Sequence, residues 1–159
     1  MATQAKSWKP QQSHSVTPYI TVDNAAAAID YYKRVFRAEE ISRMANPDGK
    51  VMHAEIRIGD SILMISDEFP QGDTRSPKTL GGTAVSLYVY FPDVDATFNA
   101  AVQAGGQAIM SPTDMFWGDR WALVKDPFGH SWGLATHKED VTPDEMGRRA
   151  AEFAKTMGG

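Results

Sequence analysis

Three side chains that could do chemistry together recur at every second position of VMHAEIRI (51–58): His53, Glu55 and Arg57. On a strand that spacing puts them on one face. Gly59-Asp60 follows, then SILMIS (61–66), and a two-residue connection that begins with Gly is a hairpin signal. Counting outward from the turn, Arg57 faces Ile62, Ile56 faces Leu63, Glu55 faces Met64, Ala54 faces Ile65 and His53 faces Ser66. Met64 therefore joins His53, Glu55 and Arg57 on one side, and Ala54, Ile56, Leu63 and Ile65 form the side packed on a helix. Glu55 and His53 are candidate catalytic residues: a general base with an orienting partner for proton transfer, or displaced metal ligands. The alternative is structural, with Glu55 and Arg57 as a cross-strand ion pair and His53 half-buried.

A second constellation lies in MFWGDRWALVKDPFGHSWGLATH (115–137), which holds three of the four tryptophans. Asp126-Pro127-Phe128-Gly129 has type I turn chemistry. Closing that turn on Lys125 and His130 pairs Val124 with Ser131, Leu123 with Trp132, Ala122 with Gly133 and Trp121 with Leu134. This register predicts a packing face of Trp121, Leu123, Trp132 and Leu134. Its other face carries Arg120, Ala122, Val124, Ser131, Gly133 and Ala135, small apart from Arg120, like a cavity floor. Trp117 and Arg120 are candidate ligand contacts, Arg120 through bidentate pairing with a carboxylate or phosphonate; Arg120 paired with Asp119 or Glu55 is the structural alternative. Alternation puts Tyr19, Tyr88 and Tyr90 on the cavity side. There they offer flat walls and hydroxyls to a planar or amphiphilic ligand, or pack on one another. Asp126 and His130 belong to the turn, His14 and His137 receive no chemical role, and Asp67 and Glu68 stand at the cavity mouth or as a solvated pair.

The elements that must position these residues are legible in order. Residues 1–14 read as a disordered arm. A strand over 16–22 leads to a helix from Ala25 to Phe36, capped by Asp23 or Asn24. A short strand near 39–44, a turn at 46–49 and the first hairpin complete one module, residues 15–66. The Gly-, Pro- and Ser-rich stretch 67–83 is a linker or mobile flap. The order then repeats over 84–137: strand 86–91, a helix from Val94 to Ala104 ended by Gly105-Gly106, a strand near Ala108 and the second hairpin. An offset of 69 residues overlays Tyr19 on Tyr88 and Leu63 on Trp132. The fold class is therefore α+β, two tandem βαβββ modules with a C-terminal helix over 139–159. Thr142-Pro143-Asp144-Glu145 is a capping box. The apolar stripe Met146, Ala150, Phe153 and Met157 packs on its own domain or clasps a second subunit.

Composition narrows the classes. The net charge of −4 gives no reason to expect nucleic acid or an anionic membrane as partner. With no cysteine, disulfides and thiolate chemistry are excluded. The polar N-terminus lacks a signal-peptide core, and no apolar run approaches a membrane span, so a cytoplasmic protein is expected. No nucleotide-binding glycine motif supports methyltransfer, and no cofactor is expected.

The segments TPYITVDNAAAAIDYYKRVF, MHAEIRIGDSILMISDE and MFWGDRWALVKDPFGHSWGLATH resemble the vicinal oxygen chelate superfamily (glyoxalase I, extradiol dioxygenases, bleomycin-resistance proteins), and within it the PhnB-like glyoxalase branch. The resemblance covers residues 15–138. It implies a cupped eight-stranded mixed sheet, one cavity shared by both modules, and a homodimer. Metal-dependent members place four ligands on cavity-facing strand positions, which fall here on Thr17, Met64, Ser86 and Gly133. None of these supplies imidazole or carboxylate, so no metal is expected at that site. Glu55, Met64, Ser86, Arg120 and Gly133 are expected to face one concave space. Three functions follow: a metal-free protein of the bleomycin-resistance type that binds a small molecule through Tyr19, Met64, Ser86, Tyr88, Tyr90, Trp117 and Arg120; a lyase or isomerase using Glu55 and His53; and a metalloenzyme with rearranged ligands.

Overall fold

The computed structural model describes Met1 and residues 3–157. Residue 2 of the expected arm and residues 158 and 159 of the expected C-terminal segment lie outside the described residues. The chain forms two compact units, Met1–Gly82 and Thr83–Gly159. Each is a βαβββ module with its own four-stranded mixed sheet, and the second adds a C-terminal helix, as the pattern of elements predicts.

In the first unit, β1 (Tyr19–Val22), α1 (Ala25–Phe36), β2 (Glu39–Ala45), β3 (Val51–Ile58) and β4 (Ser61–Asp67) give the sheet order β1-β4-β3-β2, with β1 parallel to β4. Asn24 caps α1 by accepting from the Ala27 N–H. The helix buries Ala25, Ala28, Ile29, Tyr32, Val35 and Phe36, and the sheet buries Ile20, Val22, Ala54, Ile56, Leu63 and Ile65 among others. Tyr32 stacks on Phe36 one turn on, adding an aromatic pair to the apolar stripe. The β3–β4 register is the predicted one, Glu55 opposite Met64 and Ile56 opposite Leu63. Within 67–83 the chain makes a short helix, α2 (Pro77–Leu80), where Glu68 accepts from the Ser76 N–H and the Thr79 hydroxyl.

The second unit repeats the plan with β5 (Ser86–Tyr90), α3 (Val94–Gln103), β6 (Gln107–Asp114), β7 (Asp119–Lys125) and β8 (Ser131–His137), in the order β5-β8-β7-β6. Here the hairpin corrects the sequence reading. Lys125 pairs with Ser131, Val124 with Trp132, Leu123 with Gly133, Ala122 with Leu134 and Trp121 with Ala135, one residue away from expectation. The type I turn is present, Gly129 N–H donating to Asp126 C=O, but Gly129 then takes the left-handed conformation (φ 95°) and Asp126 pairs with His130. A type I turn followed by a left-handed Gly inserts one bulge residue and shifts the pairing by one. The Asp126 carboxylate fixes it, accepting from the Phe128 and His130 N–H groups and from the Trp132 indole.

The shift reverses the faces of β7 while leaving those of β8 intact. Ala122 and Val124 are buried with Trp132 and Leu134, and Arg120 shares that helix side. Asp119, Trp121, Leu123 and Lys125 occupy the side away from α3 with Gly133 and Ala135. α4 (Pro143–Met157) buries no residue; its Phe153 ring lies 5.1 Å from that of Phe116, and Arg149 pairs with Glu139. Among the described residues no helix is long and apolar enough to cross a membrane.

Candidate functional site

Each sheet has one face covered by its helix and one turned away from it, and the chemistry of both units gathers on the second. In the first unit Tyr19, Met64 and Glu55 form a row across β1, β4 and β3. Tyr19, 53% exposed, reaches diagonally across β4, and its hydroxyl lies 3.0 Å from His53 Nδ1, the two rings meeting edge to face. A diagonal of this kind is within the span of an aromatic side chain. On the other side of the imidazole, Glu55 Oε1 stands 3.7 Å from Nε2. Arg57 is taken by Glu39, so the ion pair weighed for Glu55 goes to a different carboxylate. The Thr17 hydroxyl donates to the His14 carbonyl, ahead of β1. Asp67 belongs to neither mouth nor solvent: it is buried and accepts from the N–H groups of Ala25 and Val51.

In the second unit the corresponding face is organised around Asp119, which is only 4% exposed. Tyr88 and Tyr90 donate to its Oδ2 at 2.8 and 3.1 Å, and His137 Nδ1 lies 2.8 Å from its Oδ1. The two tyrosines come from β5, and the β8 residues paired with them, Gly133 and Ala135, are small enough to be crossed. A Cβ at Gly133 would stand 2.8 Å from the Trp121 indole nitrogen and 3.1 Å from Tyr88 Cδ2. The expected cavity floor is thus carpeted by the unit's own rings. Trp121 Nε1 is buried without a hydrogen-bond partner among the described residues.

Burial is the largest influence on Asp119 and pushes its carboxyl up, but the donors His137, Tyr88, Tyr90 and Trp117 together outweigh it and hold the group below the usual range. Burial and then the Asp119 carboxylate push the Tyr88 and Tyr90 phenols up. His137 is raised first by Asp140 and then by Asp119, its two ring nitrogens lying 3.0 and 2.8 Å from those carboxylates. Both contacts require an N–H, so both are made only by the imidazolium.

Arg120 lies apart from this face. Its Nε and Nη2 donate to Asp95, in the first turn of α3, at 2.7 and 2.9 Å, and Nη1 donates to Asp114 at 3.0 Å. The expectation that it faces the ligand side with Gly133 is corrected by the bulge, which turns it toward α3. Trp117 packs edge-on to Trp121, and Ser86 is exposed at the start of β5. Asp119 and His137 were missed by sequence reasoning. Their direct opposition on β7 and β8 was the available signal, visible only in the bulged register.

A glyoxalase/bleomycin resistance protein/dioxygenase superfamily profile matches residues 12–134. The chain belongs to that superfamily. An uncharacterized protein of Mycobacterium tuberculosis is 42% identical over 135 residues, covering 83% of this chain and 79% of that protein. The PhnB protein of Bacillus cereus superposes with a TM-score of 0.62 at 22% identity, over 77% of this chain and 99% of that one. Protein PA1353 of Pseudomonas aeruginosa gives 0.66 at 22% identity, over 80% and 100%. At such identities the structural likeness speaks for the fold alone.

The positions where metal-dependent superfamily members place ligands do not fit a divalent ion here. Thr17 and Ser86 offer hydroxyls, Met64 a thioether and Gly133 nothing, and the space above Gly133 is taken by the Trp121 indole. Among the described residues no group of three or more His, Cys, Asp or Glu side chains could hold a metal ion.

Proposed function

We propose that this protein binds a small molecule on the helix-free faces of its sheets, without the superfamily's metal. The observation that carries the reading is the exposure of three aromatic rings there: Tyr19 at 53%, Tyr88 at 45% and Tyr90 at 59%. Exposed rings of this size on a rigid sheet offer flat apolar contact with a polar edge. Tyr88 and Tyr90 spend their protons on Asp119, so their oxygens present lone pairs to a ligand's donors. A planar molecule carrying N–H or O–H groups fits that pattern. A panel of planar aromatic compounds, tested by thermal shift with and without chelator, examines the reading. Stabilisation that persists in chelator and is lost in Tyr88→Ala and Tyr90→Ala is the expected result; stabilisation that needs added divalent metal overturns it.

A second reading, a lyase or isomerase, is supported by the placement of His53 between Tyr19 and Glu55. In it Glu55 and His53 move a proton at a bound substrate. Loss of turnover in Glu55→Gln with ligand affinity kept would separate this reading from simple binding. For assembly we propose a homodimer in which α4 takes part, since Phe153 and Met157 on its stripe are exposed. A monomer by light scattering at high micromolar concentration would contradict it.

A further inference from the structure

We propose that Tyr19, His53 and Glu55 form a phenol–imidazole–carboxylate relay that makes Tyr19 an acyl-accepting nucleophile toward neutral, activated esters and amides. The proposal rests on the helix-free face of the first unit being a ligand surface and adds a reaction to it.

The geometry sets the order of the groups. Glu55 stands at Nε2 of His53 and is acceptor-only when ionised, which favours the tautomer with hydrogen on Nε2. Nδ1 then carries the lone pair, and the Tyr19 hydroxyl 3.0 Å away is its donor. A nucleophile hydrogen-bonded to a base, with a third group behind the base, is the arrangement that activates weak oxygen nucleophiles, and the rear contact is commonly loose before a ligand is bound. The same face points to the substrate class. Its cation, Arg57, is paired with Glu39, so an anionic ligand would have to compete with that carboxylate, and a neutral one would not. Met64 stands between Tyr19 and Glu55, and Met44 stands opposite His53, giving an apolar flank for an alkyl or aryl acyl group. In the step, Tyr19 Oη attacks the acyl carbon and its proton passes to His53 Nδ1. The bond to the leaving group breaks, and the leaving group departs with its electron pair and takes the proton from the imidazole.

The second unit supplies a built-in control. Tyr88 occupies the position matching Tyr19 but donates to a carboxylate, Asp119, with Tyr90 beside it. A neighbouring anion holds a phenol proton in place, whereas a neutral imidazole accepts it. All three rings are exposed, so access alone does not separate them.

The folded wild-type chain treated with N-acetylimidazole, followed by peptide mass spectrometry, tests the proposal. Tyr19 is expected to acetylate on the order of tenfold to a hundredfold faster than Tyr88 or Tyr90. The rate advantage should be lost in His53→Gln, and should fall in Glu55→Gln but recover in Glu55→Asp. Equal labelling of the three tyrosines, or an advantage unchanged in His53→Gln, overturns the relay. Planar compounds binding in chelator while Tyr19 shows no advantage would defeat the relay and leave the binding reading standing. Rapid Tyr19 acetylation with no compound bound would do the reverse.

Discussion

The two units carry the same backbone plan and use it for opposite ends. At the N-terminus of α1 and of α3 a side chain from the unit's last strand accepts the first N–H: buried Asp67 from Ala25 in one unit, half-buried Thr136 from Val94 in the other. Tyr19 and Tyr88 each start from the edge strand and lean across the neighbouring one. Beyond that the units part. Met64 fills the centre of the first face and His53 stands ready to meet a phenol; in the second, Gly133 and Ala135 leave the centre low and Trp121, Tyr88 and Tyr90 close over it onto Asp119. One face keeps its polar groups in a line at the surface, and the other buries a carboxylate under aromatic rings. The helix side, which the core needs, is held constant, and the free side is where the sequence diverges.

The largest test of that comparison is at the matched caps. Asp67→Ala orphans two buried N–H groups and removes a charge-assisted acceptor, so a loss of ~3 kcal/mol is expected in urea unfolding. Thr136→Ala removes one acceptor and one donor at neutral–neutral bonds and should cost ~1 kcal/mol. Equal losses would mean the two caps do the same work.

Next is the low centre of the second face. Gly133→Ala drives a methyl against Trp121 and Tyr88 and is expected to destabilise by about 1–3 kcal/mol, with a change in near-ultraviolet circular dichroism from the displaced rings. An unchanged spectrum and stability would show that the aromatic layer is loose and the floor open.

A smaller effect should appear with pH. His137 bridges Asp119 and Asp140 as an imidazolium, and its folded pKa is raised by both. The clamp is therefore complete below the unfolded value of about 6.5 and is lost as pH rises through the folded value. The urea midpoint of the wild type relative to His137→Gln should fall over that window. A difference that grows with rising pH would reverse the assignment.

The smallest expected effect is on binding by Arg120. Because Asp95 and Asp114 hold it on the α3 side, Arg120→Gln should leave affinity for any compound found to bind unchanged by titration calorimetry, while Tyr88→Ala weakens it. Weakened affinity in Arg120→Gln would return that residue to the ligand face.

Much of this was legible in the residues. The spacing of Ala25, Ile29, Tyr32 and Phe36 defined α1, and the Gly59-Asp60 turn fixed the β3–β4 register to the residue, because a two-residue hairpin leaves no slack. His53 and Glu55 were placed on the right face by alternation alone. The second hairpin resisted for a local reason. Asp126-Pro127-Phe128-Gly129 spells a type I turn whether or not its Gly adds a bulge. The choice is made by Asp126 gathering the Phe128 and His130 amides and by Trp132 sinking into the core to reach that carboxylate. One added residue moved Arg120 to the helix side and brought Asp119 opposite His137, because side-chain direction in a strand has period two. The sequence by itself determined the order of the elements, the apolar faces and the first hairpin, since these follow from local spacing. The Tyr19–His53 contact, the burial of Asp119 under two tyrosines and the indole over Gly133 depend on which side chains cross which strands, and only the packed tertiary structure decided them.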